Sequence, residues 1–284
     1  MRRILKLLAI AAFSVYVAVL VLLYVQQRRL LYPRDPARAE IASANLPRAE
    51  EMELATADGE TLIAWVVQPR EGKPVLLFFH GNAGNFASPG RQSRFRLLTE
   101  DGTGLFAVSY RGYGGSTGSP SEDGLALDAR AAYAAAAARF GADRLVGYGE
   151  SLGTGVVLKL AAEAPIKAVI LEAPYMSTAS VAQLRYPYIP VGMLMKDQFR
   201  SDLVIGAVKV PLLILHGQRD GVIPFSQGEA LFALANPPKR FISFPRGTHN
   251  DLRTHGSIPQ VQRFLADLDA NRLMGSETMT AAQQ

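Results

Sequence analysis

Six short, continuously apolar runs separated by helical stretches constrain this chain more than any other feature. They fall at residues 75–79, 105–110, 145–148, 168–171, 212–215 and 241–244. A strand with one wet face alternates apolar and polar residues. A strand apolar on both faces is buried between two layers, the pattern of a parallel sheet covered by helices. The intervening segments meet that requirement, because residues 92–99, 122–140, 152–162, 226–234 and 258–273 carry helical patterns. The alanine run at 131–138 is a strong helix former. Upstream, residues 52–56 and 61–67 flank Ala57-Asp-Gly-Glu60, a hairpin signal with an Asp-Gly turn. The expected fold is therefore α/β: a mostly parallel central sheet, helices on both faces, and hairpin strands at its N-terminal edge.

With 284 residues the chain has ample material for one large core, and no internal repeat divides it. Before the first strand lies an apolar segment from Leu7 to Val25, interrupted only by Ser14, Tyr16 and Tyr24. That length crosses a hydrocarbon core as a helix. Gln26-Gln27-Arg28-Arg29 and Tyr24 mark an interface at its far end. A cleaved signal peptide is the alternative, but the candidate Ala-x-Ala site, Ala42-Ser43-Ala44, lies far beyond the run. The expected organisation is a basic tail (1–6), a transmembrane signal anchor (7–25), a juxtamembrane connector (26–48), a folded body (49–274) and a flexible tail (275–284). The short tail with Arg2, Arg3 and Lys6 favours a body outside the cytoplasm, whereas Arg28, Arg29 and Arg34 argue the reverse.

Charge narrows the partners. Lys and Arg number 30 against 25 Asp and Glu, but seven basic and only two acidic residues fall within the first forty. The body is thus neutral, which excludes the basic face of a nucleic-acid binder and points the terminal charge at lipid headgroups. Without cysteine there is no disulfide and no thiolate metal site. Neither a metal nor an organic cofactor is expected.

Gly147-Tyr-Gly-Glu-Ser-Leu-Gly-Thr-Gly155 carries the chemistry. It follows an apolar strand and opens a helix, the context in which Gly149-Glu-Ser-Leu-Gly153 forces Ser151 into a tight turn with its hydroxyl exposed. The helix then directs its free N–H groups and positive dipole end toward any anion formed there. A dinucleotide-binding reading fails, since Gly-x-Gly-x-x-Gly from Gly147 needs glycine where Leu152 stands. A serine nucleophile needs a base steadied by an acid. Of the four histidines, His249 lies in the loop after the 241–244 strand, at the carboxyl end of a parallel sheet where side chains reach a site. His80 and His216 each end a strand before a glycine and read as satisfying backbone groups beneath the site, and His255 reads as a surface residue. Asp220, after the 212–215 strand, is the candidate acid, with Glu172, Asp202 and Asp251 as rivals. An oxyanion requires preorganised N–H donors. Leu152 supplies one, and the loop His80-Gly81-Asn82-Ala83 supplies the other, through Asn82 first or Ala83. Residues 174–202 break the alternation with Tyr175, Met176, Met193 and other large apolar side chains. They read equally as a lid with an acyl pocket or as a helical excursion packed on the core.

Phe79-His-Gly-Asn-Ala-Gly-Asn85, Ser109-Tyr-Arg-Gly-Tyr-Gly-Gly-Ser116, Gly149-Glu-Ser-Leu-Gly153, Pro211-Leu-Leu-Ile-Leu-His-Gly-Gln-Arg-Asp220 and Gly247-Thr-His249 together resemble the α/β-hydrolase superfamily. More narrowly, the chain is similar to the membrane-anchored branch of Bem46 and the ABHD13 and ABHD17 serine hydrolases. The likeness spans about residues 50–270, a domain-sized stretch. It implies Ser151, Asp220 and His249 as catalytic residues, Asn82 and Leu152 as oxyanion donors, and Gly81, Gly149 and Gly153 as elbow and loop glycines, with Arg111 anchoring loops beneath the site. The implied activity is cleavage of esters or thioesters of apolar acyl groups beside a bilayer, the acyl pocket including Tyr175, Met176 and Met193. The same triad would serve a peptidase or amidase, and the same fold could carry a non-catalytic, membrane-tethered binding protein.

Overall fold

The computed structural model describes residues 1–281. It opens with a single long helix, α1 (Arg2–Leu31), none of whose side chains is buried. The helix therefore overruns the expected 7–25 span at both ends, and among the described residues it is the one long and apolar enough to cross a membrane. The connector that follows is packed rather than loose: Tyr32, Ala39, Ala44 and Leu46 are buried, and Arg34 forms a backbone bridge with Gly84.

The body continues in chain order through β1 (Ala49–Ala55), β2 (Thr61–Val67), β3 (Val75–Phe79), α2 (Pro89–Thr99), β4 (Gly104–Ser109), α3 (Glu122–Phe140), β5 (Leu145–Glu150), α4 (Leu152–Glu163) and β6 (Ala168–Glu172). The insert contributes three short helices, α5 (Thr178–Arg185), α6 (Val191–Leu194) and α7 (Ser201–Val204). The chain closes with β7 (Leu212–Gly217), α8 (Phe225–Leu234), β8 (Lys239–Phe244), α9 (Ser257–Asp269) and β9 (Ser276–Thr280).

One sheet holds all nine strands in the order β1-β2-β4-β3-β5-β6-β7-β8-β9. The β1–β2 hairpin and the β2–β4 pair are antiparallel; every later pairing is parallel. Its two faces have separate cores. One gathers Leu77, Phe79 and Leu171 under α3, α4 and α8; the other gathers Phe78, Tyr148 and Leu215 under α2 and α9. Both faces of each central strand are thereby dry, which is why β3, β4 and β7 read as unbroken apolar runs. Local signals set the helix ends: Ser121 accepts a hydrogen bond from the Gly124 N–H at 3.1 Å to start α3, and Gly141, at φ 86°, stops it.

The tail departs from expectation. Instead of fraying after Gly275, Ser276–Thr280 pairs in parallel with β8 and covers what would be an open sheet edge. An alternating Ser-Glu-Thr-Met-Thr strand looks polar in sequence because only one of its faces meets the body. Residues 282–284 of the expected tail lie outside the described residues.

Candidate active site

Strand β5 ends in Gly149-Glu150 and α4 starts at Leu152, so Ser151 alone makes the turn, at φ 51° and ψ −116°. For a residue with a Cβ this backbone is strained and persists only because its surroundings over-determine it. Two glycines let the turn close. A Cβ on Gly149 would collide with the backbone of Gly153 and Thr154, and one on Gly153 would run into the carbonyl of Phe79. Gly81 is different: a Cβ there would meet the Ser151 Cβ at 3.5 Å, an ordinary contact, so space does not demand glycine.

The carboxyl ends of β5, β7 and β8 converge on one line of hydrogen bonds. His249 Nε2 lies 3.0 Å from Ser151 Oγ, and its Nδ1 lies 2.7 Å from Asp220 Oδ2. The other Asp220 oxygen accepts the N–H groups of Val222 and Ile223, both at 2.8 Å. His216 adds a fourth contact, with Nε2 3.1 Å from the Ile223 carbonyl and 3.4 Å from Asp220 Oδ2. Burial alone would push the Asp220 carboxyl up, but the hydrogen bonds from His216 and His249 and the imidazole charge hold it well below the usual carboxylate range. Asp220 is thus a fixed anion aimed at His249. The rival carboxylates are engaged elsewhere: Asp202 with Arg200 at 2.7 Å, Asp251 with the Thr248 N–H at 2.6 Å, and Glu172 with Arg94 and the Tyr148 hydroxyl.

The loop after β3 faces Ser151 from the other side. His80 is wholly buried, with Nδ1 2.7 Å from the Gly81 carbonyl and Nε2 3.4 Å from the Tyr110 N–H. Burial, with the Arg91 charge nearby, pushes its imidazole down to about 3, so it is a neutral strut. Asn82 is tied down by both ends: its Nδ2 donates to the Leu31 carbonyl at 2.9 Å, and its own carbonyl accepts the Tyr113 hydroxyl at 2.7 Å. Asn82 and Leu152 line the same cavity as Ser151. Leu152, as the first residue of α4, has an N–H with no acceptor in a preceding turn.

That cavity has a volume of about 330 Å³. Tyr175 lines it, held by its hydroxyl to the Leu152 carbonyl at 3.0 Å. Met176 and Met193 do not. Met176 packs against the core, while the short helix α6 turns Met193 outward, 86% exposed, and brings Met195 inward. The walls also include Val181, Ala182, Ile223 and, from the N-terminal helix, Leu31.

Beneath the elbow lies a charged layer that no motif announces. Arg94 of α2 pairs with Glu172 at the end of β6 and reaches Glu150, the residue before Ser151, at 3.3 Å. Burial favours the neutral acid at Glu150, yet Arg94 and Arg91 win and keep it ionised. Arg111 performs the looser task expected of it, tying Asp58 of the hairpin turn at 2.7 Å to Asp128 of α3 at 2.8 Å. Among the described residues, no cluster of three or more His, Cys, Asp or Glu side chains could hold a metal ion.

Comparison with known proteins places the fold. A family model for the alpha/beta hydrolase fold matches residues 74–203. An uncharacterised protein of Mycobacterium tuberculosis is 36% identical over 275 residues, covering 93% of this chain and 96% of that protein. The bem46 protein of Schizosaccharomyces pombe is 32% identical over 290 residues, covering 94% and 95%. This chain belongs to the α/β-hydrolase family, in the branch that includes Bem46. Among solved structures, the Pyrococcus furiosus esterase Pf2001 superposes with a TM-score of 0.66 over 86% of this chain and 98% of its own, at 18% identity. At that identity the likeness is one of fold.

Proposed function

We propose that this α/β hydrolase is a single-pass, membrane-anchored serine hydrolase that cleaves carboxylic esters or thioesters of apolar acyl groups. The observation that carries the reading is the continuous chain Ser151 Oγ–His249–Asp220, at 3.0 and 2.7 Å, opening onto a largely apolar cavity. In this mechanism His249 Nε2 takes the proton of Ser151 as Oγ attacks the acyl carbonyl, and Asp220 stabilises the imidazolium and fixes its tautomer. The N–H groups of Leu152 and Asn82 receive the developing oxyanion. His249 then passes the proton to the leaving alcohol or thiol as the tetrahedral intermediate collapses to acyl-Ser151. Water, deprotonated by His249, attacks the acyl-enzyme; collapse releases the carboxylic acid and restores the serine.

The anchor reading rests on α1. Its 30 residues extend about 45 Å, whereas about 20 residues suffice to cross a hydrocarbon core. Arg2, Arg3 and Lys6 bracket one end and Arg28 and Arg29 the other, positions suited to headgroups.

A fluorophosphonate probe, which phosphonylates activated serines, is expected to label the full chain in membranes and to leave Ser151→Ala unlabelled. Equal labelling of both proteins would remove Ser151 from the mechanism.

A further inference from the structure

A second cavity, of about 200 Å³, runs between the last three turns of α1 and the insert. Leu23 and Leu30 line it from the helix; Ile189, Val191 and Leu194 line it from the insert. Three side chains, Leu31, Ala182 and Met195, belong to its wall and to that of the catalytic cavity. The two spaces are therefore neighbours across a single layer of apolar side chains, one of them the unbranched and adaptable Met195.

We infer that this groove is an acyl-chain site: the tail of a long-chain ester lies along α1 while its carbonyl reaches Ser151, so that the substrate arrives sideways from a bilayer leaflet. The inference rests on the hydrolase reading and adds a substrate class and a route. Four observations select a hydrocarbon chain as the occupant. First, apart from the Tyr24 and Tyr186 hydroxyls the groove has one polar side chain, and the Gln27 amide is already engaged: Nε2 donates to the Tyr24 and Leu194 carbonyls at 2.9 and 3.2 Å, and Oε1 accepts the Lys196 N–H at 2.7 Å.

Second, the groove has a defined depth in the bilayer. The apolar run ends at Val25 and the groove is lined from Leu23 to Leu31 of α1, so the groove begins where hydrocarbon gives way to headgroups. Third, the tip of the insert is apolar and exposed where a bilayer would cover it. Tyr188 is 87% exposed, and its carbonyl accepts the Tyr16 hydroxyl at 2.8 Å. Tyr16 lies eight residues before Tyr24, about 12 Å further into the apolar run. A water-facing insert would leave this apolar tip unexplained.

Fourth, the groove is held open by built contacts. Arg28 forks onto Asp197 at 2.8 and 3.0 Å, and Asp197 also accepts the Glu122 N–H at 3.1 Å, which ties α1 to the insert and to the start of α3. The Lys196 ammonium lies 4.3 Å from the centre of the Tyr24 ring. The helix and the insert are thus fastened beside the groove by charge and left apolar along it.

The test compares chain lengths at one nucleophile, using the full chain in phosphatidylcholine vesicles. Hexadecyl and ethyl fluorophosphonates are applied to the wild type, and p-nitrophenyl palmitate and butyrate are turned over by the wild type, Leu23→Trp and Ile189→Trp. The hexadecyl probe should label Ser151 at least about tenfold faster than the ethyl probe, because each buried methylene adds to binding. Either tryptophan, filling the groove from opposite walls, should lower the palmitate-to-butyrate ratio of kcat/KM by about tenfold. Equal labelling by the two probes in the wild type would overturn the inference without recourse to any variant. So would an unchanged ratio in both variants, with the hydrolase reading intact. Failure of the wild type to react with either probe or ester would instead overturn the hydrolase reading itself.

Discussion

The two sides of the cavity at Ser151 are built by opposite means. On the body side, Ser151, Asp220 and His249 stand on strand ends over a layer of buried charge, and Asp220 accepts two backbone N–H groups as well as its histidines. On the other side, Leu31, Ala182 and Met195 come from an unburied helix and an insert of short helices. Each side is fastened by an arginine on a buried carboxylate. Arg94 is itself only 5% exposed, whereas Arg28 is 51% exposed. The lesson is a division of labour: in the proposed mechanism the rigid side must hold atoms to fractions of an ångström for proton transfer, while the softer side has only to present apolar surface.

Three substitutions can break that comparison. Asp220→Asn is expected to cut kcat by about 10⁴-fold, because an amide would leave His249 in the wrong tautomer. The Val222 and Ile223 N–H groups retain an oxygen acceptor, so the melting temperature should stay close to that of the wild type. Ester turnover and thermal melting check both halves. Arg94→Met should cost about 3–5 kcal/mol, since it strands Glu172 as a buried charge and takes from Glu150 one of its two arginines. Urea denaturation of the detergent-solubilised protein measures it, and a loss under 1 kcal/mol would mean the body side is no stiffer than the other. Arg28→Met should cost only about 1 kcal/mol, because solvent screens the half-exposed guanidinium and the Glu122 N–H still meets Asp197. A loss as large as that of Arg94→Met would erase the distinction between the two sides.

Legibility in the sequence followed the same division. The elbow around Ser151 is legible because its glycines, its strand and its helix are adjacent in the chain. Asp220 and His249 could be singled out because a parallel sheet presents its strand ends on one edge, so position along the chain stands in for position in space. The charged layer was not legible. Arg94 reads as one more polar residue of a mixed helix, and nothing in its neighbourhood announces Glu172, 78 residues away. The pocket was misread at Met176 and Met193 for a related reason: in an irregular insert no period tells which methionine turns inward, and the single turn of α6 gave that place to Met195. The part of Leu31 was hidden because an apolar helix long enough to cross a bilayer looks complete as an anchor, and its contacts with the insert span about 170 residues of chain.

One consequence follows from Leu31 lining the catalytic cavity. A spanning helix adjusts its tilt to the thickness of the membrane around it. With α1 in a bilayer, as proposed, a change of tilt would also move a wall of the cavity beside Ser151, since the end of α1 is pinned to Asn82 at 2.9 Å and to Asp197 at 2.8 Å. Under that proposal hydrophobic mismatch would be felt beside Ser151, and the lipid composition of the membrane would act on this hydrolase as an effector does.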